Sequence, residues 1–108
     1  MSQGSGLSVA LIEEVETSLN SHAARFIELS DAVWGFAELG FAEKRSSAAQ
    51  IDALRREGFQ IRPAIGGLPT AFVAERGAGR PVIGVLGEFD ALAGMSQVAG
   101  ADRPEALD

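Results

Sequence analysis

Cysteine is absent from the 108 residues, and histidine occurs once, at His22. The first absence excludes a disulfide framework, a thiolate metal site and a cysteine nucleophile built from this chain. The second excludes a zinc site made of several imidazoles, and a catalytic triad with a second histidine in reserve. Positive charge is scarce as well: 9 Lys and Arg stand against 15 Asp and Glu, a formal net charge of −6. The basic residues are scattered, so the footprint of a nucleic-acid binder is missing. No apolar run reaches the roughly 20 residues that span a bilayer, and no membrane partner is expected. Residues 1–6 lack the basic and apolar regions of a signal peptide, so a cytoplasmic location is expected.

What is present is a chain with 46% hydrophobic residues, a proportion that predicts a buried core and a single domain. Residues 1–7 read as a disordered or cloning-derived start, and residues 8–108 as the structured part. From Ser8 to about Phe36, Ile12, Val15, Leu19, Phe26, Leu29 and Val33 recur at helical spacing, with His22 on the same stripe. Ser8 is placed as an N-cap, and Glu13, Glu14 and Glu16 suit the positive end of the helix dipole. A lone imidazole on such a stripe reads as a packed, hydrogen-bonded residue.

Trp34–Glu43, with two glycines and three aromatics, predicts a compact corner. Its Glu38 and Glu43 suit either functional carboxylates or caps of a second helix, and their position favours capping. That helix is expected from about Glu43 or Ser46 to Glu57, with Gly58 as the residue that ends it. The period then changes from helical to extended. Phe59–Pro63 reads as an edge strand, Thr70–Arg76 as a second strand, and Pro81–Gly87 as a third, apolar throughout and wanting burial on both faces. The short Gly77–Arg80 turn predicts that the last two strands form an antiparallel hairpin. Two helices and three strands cannot cover both faces of such a strand.

The chemistry-bearing segment is Leu86-Gly87-Glu88-Phe89-Asp90-Ala91-Leu92. An apolar strand ends and two carboxylates follow, one residue apart, where open α/β sheets bind ligands. Period-two alternation directs Glu88 and Asp90 to one side. Such a pair suits a divalent cation, or an acid that orients another ligand or base. It also suits an ordinary solvated turn. Gly87 would permit a close approach of backbone. Ser96 lacks a nucleophile elbow and reads as a surface or capping residue.

The segments Trp34–Glu43 and Gly84–Gln97 resemble the N-terminal portion of M20-type metallopeptidases and amidohydrolases, in particular the branch of the B-type aminobenzoyl-glutamate hydrolase subunits. The likeness runs over about residues 8–100. It implies an α/β fold: the N-terminal part of a three-layer α/β/α catalytic domain, with two helices and then three strands of a mixed sheet. It further implies hydrolysis of an amide bond in an N-acyl amino acid or aminobenzoyl-glutamate-like small molecule, using a divalent Zn or Mn. In the family a His-x-Asp closes this strand. Asp90 matches the Asp and is the catalytic candidate, an orienting group beside the metal. Glu88 stands at the metal-binding His position and is the metal candidate. Ala93 departs from the proline usual in this branch. The remaining metal motifs and the general base of the family have no counterpart here, so the chain resembles the opening quarter or so of such an enzyme, inactive alone. A homo-oligomer, or a hetero-oligomer with a related subunit, is the expected assembly. The competing expectation is a non-catalytic module that completes its sheet by oligomerising.

Overall fold

Helix α1, Val9–Phe36, starts where Ser8 takes an extended conformation and its hydroxyl accepts the Leu11 amide at 3.2 Å. Such a cap contributes about 1 kcal/mol. The computed structural model describes residues 8–108, so the expected disordered or cloning-derived start at residues 1–7 lies outside the described residues. Against expectation, the first turn of α1 holds no acidic residue, because Glu13 and Glu14 fall in the second turn, where the helix dipole has faded. The helix is unbroken through Asn20-Ser21. Ser21 turns its hydroxyl back onto the Ser18 carbonyl at 2.8 Å. His22 Nδ1 lies 2.7 Å from the same carbonyl, and its ring stacks on Phe26 at 5.9 Å. His22 is thus hydrogen-bonded and stacked as expected, but it is half-buried and not the core residue that the stripe implies.

Ala37 ends α1 in the left-handed conformation, and the chain turns into helix α2, Lys44–Arg56. Gly58, at φ +85°, ends α2 as expected. The Gly58 amide returns to the Arg55 carbonyl and the Phe59 amide to that of Leu54, at 3.0 and 3.1 Å, a Schellman closure. The helices meet across a groove of about 510 Å³, whose apolar lining includes Phe26, Leu29, Ala32, Ala53 and Leu54. Arg25 and Glu57 bridge its end at 2.6 Å. That ion pair is half exposed, so it adds at most about 1 kcal/mol.

Two short strands follow, β1 (Gln60–Pro63) and β2 (Phe72–Glu75). They pair antiparallel, with Gln60 opposite Glu75 and Pro63 opposite Phe72. The α/β class, with two helices leading into strands, is as the sequence predicts. The third strand is not formed. Residues 81–87 have no regular secondary structure, and β2 pairs with β1 instead of with the apolar run. Val82, Ile83, Val85 and Leu86 are 86%, 83%, 93% and 92% exposed. A strand apolar on both faces needs a neighbour on each side, and no described element supplies one.

The expected apolar core is likewise absent among the described residues: no hydrophobic side chain is fully buried. The accessible surface is 9223 Å², whereas a compact chain of this mass exposes about 5,700 Å². The radius of gyration is 18.0 Å, against about 13 Å for a compact domain of this length. Leu29 and Val33 are half-buried, but Ile12, Val15, Leu19 and Phe26 on the same stripe remain exposed.

A mutational consequence distinguishes this arrangement from a buried strand. Val85→Ser changes the unfolding free energy of this chain by less than about 0.5 kcal/mol, the ordinary range for exposed positions. Chemical denaturation checks it, and a loss of about 1 kcal/mol or more shows that something covers the run.

Candidate functional site

The corner between α1 and α2 is organised by two carboxylates. The Glu38 Oε1 accepts the Ser46 amide at 2.7 Å, and its Oε2 accepts the Arg45 amide at 3.0 Å. These are amides of the first turn of α2, which have no partner within the helix. Glu38 thus caps a helix that begins at Lys44, from outside it. Glu43 holds the N-cap position but makes no side-chain cap. Its carboxylate faces elsewhere, accepting the Phe41 amide at 3.0 Å and the hydroxyl of buried Thr70. Of the two readings, Glu38 serves as the cap, and Glu43 ties the corner to the loop before β2.

These bonds hold a backbone that would otherwise relax. Ala37 and Phe41 have φ of +48° and +69°, a region that non-glycine residues rarely adopt. Each such residue costs of order 1 kcal/mol and persists when its surroundings fix it. The Arg45 guanidinium adds a bond to the Phe36 carbonyl at 3.2 Å and lies 4.7 Å from the centre of the Phe36 ring. Ser46 and Ser47 are the buried residues of α2, Ser46 completely so.

The segment after the apolar run returns to this corner. The Ala91 amide donates to the Glu38 carbonyl at 2.8 Å, and Leu39 and Ala91 form a parallel bridge. Phe89 lies against Phe72 of β2, with ring centroids 6.2 Å apart. Along Glu88–Ala91 exposed and half-buried residues alternate: Glu88 and Asp90 face solvent while Phe89 and Ala91 face the protein. The expected period of two is therefore visible even without a strand. A Cβ added to Gly40 would stand 3.5 Å from Asp90 Oδ2. The anticipated close approach at Gly87 is not realised, because the space around it is open. Gly40 is the glycine beside the carboxylate. Ser96 is exposed and accepts the Leu107 amide at 3.0 Å, in keeping with a surface residue; no helix lies beside it to cap.

Glu88 and Asp90 are both exposed and make no hydrogen bond or ion pair among the described residues, a chemistry suited to a divalent cation. They do not complete a centre: among the described residues, no three His, Cys, Asp or Glu side chains converge to hold a metal. No reaction step is therefore assigned to a metal on these residues alone. Sequence reasoning missed Thr70 and Gly40. Thr70 lies 27 positions from its partner Glu43, beyond any local pattern. Gly40 stands in the aromatic corner, where a turn explains it equally well.

The described residues thus define an α/β segment in which a capped helix start anchors an irregular, carboxylate-bearing segment. No family model and no solved structure matches the chain. Over 93 residues, 86% of its length, it is 37% identical to the B-type subunit of p-aminobenzoyl-glutamate hydrolase from Escherichia coli (strain K12). The resemblance to the aminobenzoyl-glutamate hydrolase branch is thereby borne out. The chain spans about a fifth of that relative, 19% of its length.

The acid response of the corner follows from its hydrogen bonds. Partial burial works to raise the Glu38 pKa, but the Arg45 and Ser46 amides and the Arg45 charge outweigh it and bring it below 4.5. The Thr70 hydroxyl, with backbone amides including that of Phe41, lowers Glu43 against burial and the neighbouring Glu38. Both carboxyls hold their protons less tightly folded than unfolded. Their contribution to stability is complete above the ordinary carboxylate value and disappears as pH falls through the lower folded values. In an NMR titration, the Arg45 and Ser46 amide shifts move with a midpoint below 4.5, the ordinary carboxyl value. A midpoint at or above that value contradicts the capping.

Proposed function

We propose that this chain forms part of a metal-dependent amide hydrolase of the M20 type. Its substrate is a small amide, an N-acyl amino acid or an aminobenzoyl-glutamate-like compound, hydrolysed in the cytoplasm. The observation that carries this reading is the 37% identity with a protein whose name specifies hydrolysis of p-aminobenzoyl-glutamate. The exposed Glu88–Asp90 pair is consistent with it. Asp90 is the orienting carboxylate beside a Zn or Mn ion, and Glu88 stands at the position of a metal ligand. A catalytic metal takes three protein ligands or more, so the other donors come from polypeptide outside the described residues. The chain alone is inactive on this reading.

A second reading draws support from the exposed Val82–Leu86 run. On this view the chain is a non-catalytic module that covers the run by associating with itself or with a related subunit. Sedimentation separates the two, since a monomer at micromolar concentration counts against the module.

The direct test replaces the matched segment of the Escherichia coli hydrolase with residues 8–100 of this chain, and follows release of p-aminobenzoate. The chimera hydrolyses p-aminobenzoyl-glutamate, and Asp90→Asn lowers its kcat/KM by about 10- to 100-fold, as loss of a group orienting a metal ligand does. Undiminished hydrolysis by Asp90→Asn, with the fold confirmed by circular dichroism, overturns the assignment.

A further inference from the structure

We infer that the Glu38–Gly40 corner is the positioning element for the Asp90 carboxylate, with Glu38 coupling the start of α2 to the segment that carries Asp90. The inference rests on the hydrolase reading for what Asp90 does, but on geometry alone for what holds it.

Glu38 uses three acceptor atoms in two directions. Its two carboxylate oxygens take the Arg45 and Ser46 amides, which fixes the side chain against α2. Its carbonyl takes the Ala91 amide at 2.8 Å. One residue therefore joins two segments, its side chain held on the start of α2 and its carbonyl on Ala91. Asp90 is the residue immediately before that bond. The residue before it, Phe89, is held by its ring against Phe72. Asp90 is therefore anchored on both sides through its neighbours, while its own carboxylate makes no hydrogen bond among the described residues and remains exposed.

That combination, a fixed backbone under an unspent carboxylate, is what a reacting or orienting group requires. A carboxylate serving only the fold would be expected to spend its oxygens on the protein, as those of Glu38 and Glu43 do. Gly40 supplies the remaining condition. Oδ2 of Asp90 stands 3.5 Å from where a Cβ at residue 40 would lie, an ordinary contact, so a methyl group fits there and a larger branched side chain places further atoms beside the carboxylate. Glu38 and Gly40 are positioning residues on this account, since each acts through the placement of Asp90.

Hydrogen exchange on the full chain tests the coupling without substrate or metal. In the unaltered chain the Ala91 amide is protected together with those of Arg45 and Ser46. Glu38→Ala lowers protection at all three by about tenfold or more, whereas Glu38→Gln, which keeps one side-chain acceptor, retains part of it. Amides paired between β1 and β2 hold their protection in both variants, which separates the effect from unfolding. An unprotected Ala91 in the unaltered chain overturns the inference. So does Ala91 protection that survives Glu38→Ala while that of Arg45 and Ser46 is lost, and so does a loss that extends equally to the β1–β2 amides. The second arm uses the chimeric hydrolase. Gly40→Val lowers kcat about tenfold with KM within twofold while Ala91 stays protected; an unchanged kcat overturns the role of Gly40. Because the exchange arm needs no activity, its failure leaves the hydrolase reading standing. An inactive chimera with intact exchange coupling removes that reading and leaves the coupling.

Discussion

Three main-chain amides from two distant parts of the chain converge on Glu38, and the arrangement of the described residues depends on that convergence. Its carboxylate fills the capping role at the start of α2, and its carbonyl receives Ala91. Without it, α2 begins with unsatisfied amides and the tail loses its bond to the corner. The left-handed backbone at Ala37 and Phe41 is tolerable because the surrounding bonds leave the corner no cheaper path. Glu43 and Thr70 repeat the same logic on a smaller scale, fastening the corner to the approach to β2.

Against this well-bonded corner stands a chain in which no described hydrophobic side chain is fully buried. The hydrophobic effect is the main favourable term in folding, yet the buried side chains among the described residues are Ser46, Ser47 and Thr70. Polar bonds close the corner, while the apolar contacts between the elements stay half-buried. The Val82–Leu86 run makes the imbalance concrete. Its composition is that of a central strand, and its surroundings are those of a surface loop. The chain spans 19% of the relative it matches, and no described element covers the faces of the run.

Local features were legible in the sequence because their causes are local. The Ser8 cap, the span of α2 and the Gly58 terminator each follow from residues within a turn of one another. The hydrogen-bonded His22 and the alternation along Glu88–Ala91 are local in the same sense. Failures arose where distant partners decide. The third strand was anticipated from its own composition, but a strand exists only with a neighbour, and β2 paired with β1. The capping by Glu38 was anticipated in kind, while the division of labour with Glu43 was not, since Thr70 is remote in sequence. The candidate site was readable as Glu88 and Asp90 from their place after an apolar run. That Asp90 rests against Gly40 depends on the return of the tail to the corner, which no spacing encodes.

Residues 89–91 are docked on the Glu38–Gly40 corner and β2, while the preceding apolar run is left uncovered. Nuclear Overhauser contacts in the full chain test it most directly. The account predicts cross-peaks between Leu39 and Ala91 and between the Phe72 and Phe89 rings, with none from the Ile83 and Val85 methyl groups to α1 or α2. Contacts from those methyl groups onto either helix, with the Leu39–Ala91 contact missing, would contradict it.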